Sequence, residues 1–180
     1  MKSWIIRSLA VIMLTLATTL SLVAPAPASA TPRATLKAAA TAVAFETVGG
    51  GNYAKYKALY PSSLNFTNDG CSVPNKVLVA GGLGVVLKAY GKVFESSCDR
   101  HDFGYRNFGS ATSTPGAHPK FSATRTTKNK IDSRFYSNMK VQCDRKFGGV
   151  IKAPLRALCK GAAKTFYEAV SHFADDAFFA

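Results

Sequence analysis

The sequence predicts a mainly α fold, built as one small disulfide-bonded domain. Three observations predict it: apolar residues return at helical spacing along two long segments, no convincing period-two strand occurs, and four cysteines lie downstream of an export-type leader. No internal repeat is visible. Helices separated by turns must bury their faces on one another.

The 180-residue chain opens with Lys2 and Arg7, an apolar run from about Leu9 to Val23, and Ala28-Ser29-Ala30. This is the pattern of a secretory signal peptide over residues 1–30, cut after Ala30, and it predicts a secreted, extracellular protein. The competing reading is a membrane anchor, which needs roughly 20 apolar residues, and the run is shorter. Residues 31–180 are then the working domain, long enough for one core and too short for two domains of typical size.

Without the leader, 21 basic residues stand against 10 acidic ones, a formal charge of +11. Such a charge attracts anions of any kind, so nucleic acid, anionic phospholipid and acidic polysaccharide are all compatible with it. The basic residues are spread from Arg33 to Lys164 with no run of five, so no dedicated nucleic-acid arm is expected.

Residues 34–60 are rich in Ala and Lys with Tyr53, Tyr56 and Tyr60 at three- to four-residue spacing, which predicts one or two short helices broken at Gly49-Gly50-Gly51. Turn formers dominate residues 65–75, including Asn68-Asp69-Gly70 and Pro74, and predict a loop. Residues 76–94 are apolar but carry Gly81, Gly82, Gly84 and Gly91, a pattern that suits neither a rigid helix nor an alternating strand. They are read as an irregular core-covering segment or hairpin, with an interfacial lid as the alternative.

Ser96 or Ser97 is placed as the cap of a first long helix that passes through His101 and Tyr105 and ends near Gly109. A second runs over about 126–146, where Ile131, Phe135, Met139 and Cys143 repeat every four residues. A third begins near Pro154 and runs towards the C-terminus, with Leu155, Leu158, Cys159, Ala162, Phe166, Val170 and Phe173 on one face. The short link between the last two makes them antiparallel neighbours.

No C-x-x-C spacing occurs, so Cys71, Cys98, Cys143 and Cys159 are expected to form two disulfides rather than a zinc site. Three pairings are formally possible. The antiparallel second and third helices bring Cys143 near Cys159, which favours that bridge and leaves Cys71 for Cys98. The second bridge would staple Asp69 and Gly70 beside His101, which lies one helical turn after Cys98. Asp69, nearby backbone carbonyls and Asp102 are hard oxygen donors of the kind Ca²⁺ takes. Taken singly, Asn-Asp-Gly is a common turn and one His-Asp pair says little; their coupling through the bridge is what points to a metal beside an imidazole.

The string Cys98-Asp99-Arg100-His101-Asp102-Phe103-Gly104-Tyr105-Arg106-Asn107, followed by Lys130-Ile131-Asp132-Ser133-Arg134-Phe135-Tyr136, resembles the secreted prokaryotic and fungal phospholipase A2 family. The likeness reaches from about Tyr53 to Phe173 and includes all four cysteines. It implies a phospholipase A2-like fold with two long antiparallel catalytic helices, His101 as general base, and Asp132 orienting it from the facing helix. It also implies Asp69, the Gly70 carbonyl and Asp102 as calcium ligands, and a phospholipid substrate met at a membrane or micelle surface by a monomeric enzyme. Tyr105 is assigned with equal weight to hydrogen bonding in the site or to packing. His118, in a Pro-Gly loop, and His172, on the last helix, are read as structural or solvent-exposed.

Two departures stand out: the stretch between Cys71 and Cys98 is longer, richer in glycine and more apolar than the family's connection, and Gly70 stands where a larger residue is usual. No Gly-x-Ser-x-Gly elbow occurs, so a serine esterase lacks its usual support. A basic secreted protein that binds or disrupts membranes without hydrolysis is the alternative from another class. A metal-dependent phosphohydrolase of the His-Asp type would need further histidine ligands.

Overall fold

The computed structural model describes residues 32–72, 84–111 and 120–180, with backbone alone for residues 84–88. The proposed leader, His118 and residues 76–83 lie outside the described residues. The described chain forms six helices and no strand: α1 (Pro32–Ala44), α2 (Asn52–Leu59), α3 (Gly84–Phe108), α4 (Arg125–Lys146), α5 (Ala153–Phe173) and α6 (Asp175–Phe179). Among them no helix is long and apolar enough to cross a membrane.

The expected pair of short helices around the triple glycine is α1 and α2. The N-cap residue of α2, Gly51, has no side chain to cap it, and Glu46 serves instead: its carboxylate accepts the amides of Asn52 at 2.9 Å and Tyr53 at 3.0 Å. A carboxylate there also opposes the positive end of the helix dipole. Glu46 in turn meets Arg100 of α3 at 2.7 Å, both nearly out of solvent, and the guanidinium lies over the Tyr53 ring.

The first long helix begins well before Ser96, contrary to expectation. Gly84 opens it, and residues 84–94, read from sequence as unsuited to a helix, are helical. Packing overrides the glycine content, because Tyr90, Phe94 and Cys98 recur every four residues along one face. Phe94 is fully buried against Phe166, and Tyr90 rests on Phe94 and Phe147. Ser97 is therefore interior rather than a cap, and its buried hydroxyl donates to the Gln142 side chain of α4. The Ser96 carbonyl accepts from Arg100.

Helix α4 starts one residue earlier than expected, with Thr124 as the N-cap accepting the Thr127 amide at 3.1 Å. Helix α5 has Pro154 in its first turn, but only Cys159, Ala162, Ala163, Phe166 and Ala169 are buried. Leu155, Leu158 and Phe173, expected on the buried face, are 48, 62 and 58% exposed. Leu158 is rotated by about 100° from Cys159, and Leu155 and Phe173 sit in the end turns of the helix. Helix α5 stops at Phe173 and a short α6 follows, burying Phe178 beneath Tyr105.

Two disulfides join Cys71 to Cys98 and Cys143 to Cys159, and no free cysteine remains. One apolar cluster gathers α1, Leu64, Phe66, Phe103, Phe108, Ile131 and Phe178; a second gathers Phe94, Phe135, Met139, Phe166 and the buried cysteines of α3, α4 and α5. His101 and Asp132 lie where the two meet.

Candidate active site

Helices α3 and α4 approach closely because position 104 is glycine. A Cβ there would stand 2.9 Å from the Ile131 side chain, an overlap that would push the helices apart. Ile131 precedes Asp132, and Gly104 follows His101 by three residues, so the close approach falls at the level of the two polar side chains.

His101 and Asp132 meet across this contact, with Nε2 2.9 Å from Asp132 Oδ1. The imidazole is packed between the rings of Tyr105 and Phe135, at centroid distances of 4.2 and 4.5 Å. Its other nitrogen, Nδ1, faces Asp102 Oδ1 at 4.0 Å. Burial alone would lower the His101 pKa, but the facing Asp102 carboxylate, the hydrogen bond to Asp132 and the negative charge of both outweigh it, and the net direction is upward.

Asp132 is the hub of a buried network. Its Oδ1 accepts the Tyr105 hydroxyl at 2.8 Å as well as His101. Its Oδ2 accepts Lys128 Nζ at 2.9 Å. Burial favours the neutral acid, yet His101, Lys128 and Tyr105 together hold the carboxyl below its ordinary range. Tyr105 moves the opposite way, since burial and then the Asp132 charge keep its hydroxyl protonated as a donor. Both sequence roles for Tyr105 thus coincide: it donates to Asp132 and packs edge-on against Phe178.

Lys128 carries no solvent exposure and was not singled out from the sequence. It also donates to the Val170 carbonyl at 2.9 Å, and it lies 3.5 Å from Asp175, the first residue of α6. The available signal was its spacing: Lys128 stands four residues before Asp132, on the same side of α4 as the buried Ile131 and Phe135 stripe. His172 is exposed on α5.

The Asp69 loop is pinned to α3 by Asn107. Its amide accepts the Asn65 N–H at 2.9 Å and donates to the Asn65 carbonyl at 2.8 Å, so one side chain satisfies both backbone groups. From that anchor the loop runs through Asp69, whose amide donates to Asp102 Oδ2 at 3.1 Å, to Gly70 at φ +73° and the Cys71–Cys98 bridge. A left-handed φ of that kind suits glycine. Arg106 lies across the pair, 3.4 Å from Asp102 and 3.8 Å from Asp69, and donates to the Thr67 carbonyl at 2.5 Å.

The donor chemistry suits a hard cation. Partial burial and then the neighbouring Asp102 raise the Asp69 pKa, while the facing His101 imidazole and the Asp69 amide hold Asp102 low against its own burial. A cation between two such carboxylates would relieve their repulsion. Among the described residues no three His, Cys, Asp or Glu side chains gather into a metal cluster, so further ligands would be backbone carbonyls such as that of Gly70, or water.

The scaffold and site therefore define a disulfide-bonded helical protein with an imidazole–carboxylate pair beside an acidic loop. The model of the prokaryotic phospholipase A2 family matches residues 43–174, and the chain belongs to that family. It is also similar to a secretory phospholipase A2 of Beauveria bassiana (strain ARSEF 2860), at 32% identity over 113 residues. That match covers 63% of this chain and 45% of the relative, so the chain spans less than half of that protein's length.

Proposed function

We propose that the chain is a secreted, calcium-dependent phospholipase A2 that cleaves the sn-2 ester of glycerophospholipids to a lysophospholipid and a fatty acid. The observation that carries this reading is the orientation of His101: Nε2 is engaged by Asp132, which leaves Nδ1 on the side of Asp102 and the Asp69 loop. An imidazole so held has its proton on Nε2 and its basic lone pair on Nδ1.

In this scheme Nδ1 takes a proton from water as the water oxygen attacks the ester carbonyl carbon. Asp132 stabilises the imidazolium, with Lys128 and Tyr105 keeping that carboxylate ionised and fixed. The proton then passes from Nδ1 to the departing glycerol oxygen as the acyl carbon–oxygen bond breaks, and the fatty acid leaves. Held by Asp69, the Gly70 carbonyl and Asp102, calcium would supply positive charge for the lipid phosphate and for the ester oxygen as it becomes negative. Residues 1–30 act as the export signal in this reading and residues 31–180 as the single catalytic domain.

The test is hydrolysis of mixed micelles of phosphatidylcholine with calcium, with magnesium, and with excess chelator. Release of lysophospholipid and fatty acid only with calcium is expected, because magnesium demands tighter octahedral geometry. Full activity in chelator would remove the metal from the scheme. No hydrolysis under any condition, together with leakage of vesicle contents, would favour the non-catalytic membrane-disrupting alternative.

A further inference from the structure

The turn between α4 and α5 holds the most exposed large apolar side chains of the described chain: Val150 is 88% and Ile151 97% exposed, and the first turns of α5 that follow expose Leu155 and Leu158 at 48 and 62%. This turn is not loose. The Cys143–Cys159 bridge closes it, and Arg156 donates to the carbonyls of Phe147 at 2.9 Å and Gly149 at 3.1 Å. Two adjacent β-branched side chains are thus held out in water on a braced support. Clustered apolar exposure of this kind marks a contact surface.

The same turn is basic. Residues 144–160 carry Arg145, Lys146, Lys152, Arg156 and Lys160 against Asp144 alone, and Asp144 is engaged by Lys160 at 2.7 Å. Lys146 and Lys152 flank the apolar tip and are exposed.

We infer that this braced turn is a lipid anchor, with Val150 and Ile151 entering the acyl boundary of a bilayer and Lys146 and Lys152 meeting anionic headgroups. That the surface is a phospholipid one rests on the phospholipase reading above; adhesion itself needs no catalysis. Apolar tips with basic rims are what an interface of hydrocarbon below anionic headgroups complements. A second copy of the chain fits worse, because two such turns would oppose like charges. Four side chains also fall well short of the roughly 800 Å² per partner that a stable interface buries. The tip lies about 20 Å along α4 from Asp132, so it tethers the protein and takes no part in the site's chemistry.

The experiment is co-sedimentation of the exported form, residues 31–180, with vesicles of phosphatidylcholine and of equimolar phosphatidylcholine and phosphatidylglycerol, in excess chelator so that hydrolysis plays no part. Wild type should bind the mixed vesicles more tightly. V150S/I151S should lose about tenfold or more on both compositions, given the hydrophobic gain of burying two such side chains, and should melt like wild type. K146E/K152E should lose the preference for phosphatidylglycerol. The single tryptophan of the chain is Trp4, in the leader, so Ile151→Trp places a lone reporter in the exported part, and its emission should shift to the blue on vesicle addition. Wild-type binding by V150S/I151S, an unshifted tryptophan, a lowered melting temperature in the serine variant, or a wild-type dimer that this variant abolishes would each overturn the anchor. None of these outcomes bears on whether the chain hydrolyses lipid with calcium, which is measured separately.

Discussion

Lys128 and Asp132 lie one turn apart on α4 and form a 2.9 Å ion pair from which solvent is excluded on the lysine side. The pair fixes the Asp132 oxygen that His101 does not use. Lys128→Met would leave that oxygen and the Val170 carbonyl without their donor in a buried setting. Breaking a buried pair from one side costs about 3–5 kcal/mol. The variant should melt well below wild type, and turnover should fall with KM little changed, because the loss acts through Asp132 on the transition state. Equal melting curves would show that the pair adds nothing to stability.

His101→Asn should remove a factor of about 10² to 10⁴ from turnover, the usual contribution of a positioned general base. Asp132→Asn should lose less, since the imidazole can still accept a proton. The two residues touch at 2.9 Å, so the losses in the double variant should fall short of their sum. Turnover of the singles and the double on micellar lipid at saturating calcium decides it; strict additivity would separate Asp132 from His101.

Tyr105→Phe isolates one hydrogen bond. The ring remains against Phe178 and His101, while the donor to Asp132 Oδ1 disappears. A hydrogen bond to a charged group contributes about 1.5–3 kcal/mol, so a stability loss in that range is expected from denaturant unfolding. Tyr105→Ala should lose more, because it also opens a cavity. Similar losses in both variants would assign Tyr105 to the hydrogen bond alone.

How much of this was readable follows from what each residue type advertises. The four-residue repeat of Ile131, Phe135, Met139 and Cys143 announced α4, and the string from Cys98 to Asn107 announced the family, because apolar periodicity and dense motifs are local signals. The early half of α3 was not readable: its glycines argue against helix, and the packing of Phe94 on Phe166 and of Tyr90 on Phe147, both distant in sequence, reverses that. Lys128 was passed over because lysine is ordinarily solvated, and its burial depends on Asp175 and Val170 arriving from distant sequence. Leu155 and Leu158 misled in the other direction, since periodicity marks an apolar face but not whether anything covers it.

Acid should weaken the fold through Asp132. Its pKa is held below the unfolded value, so the stability it contributes is fully present above about pH 4 and is lost as pH falls through the lower, folded value. Melting temperatures of wild type and Asp132→Asn, followed from neutral pH downwards, should therefore converge in acid. Parallel curves would mean that the aspartate's ionisation does not contribute to folding.

The two disulfides should fail differently. Cys143–Cys159 spans 16 residues between α4 and α5, and its removal should lower stability by roughly 3 kcal/mol on the chain-entropy model. Cys71–Cys98 spans 27 residues and should stabilise by a similar amount on that model, but it also ties the Asp69–Gly70 turn to the helix of His101 and Asp102. Replacing both cysteines of this second bridge should therefore raise the calcium concentration needed for half-maximal turnover, an effect that the first pair should not share. Melting curves and calcium titrations of the two double-alanine variants give both readouts. An unchanged calcium requirement without Cys71–Cys98 would show that Asn107 and the contact between the Asp69 amide and Asp102 hold the loop unaided.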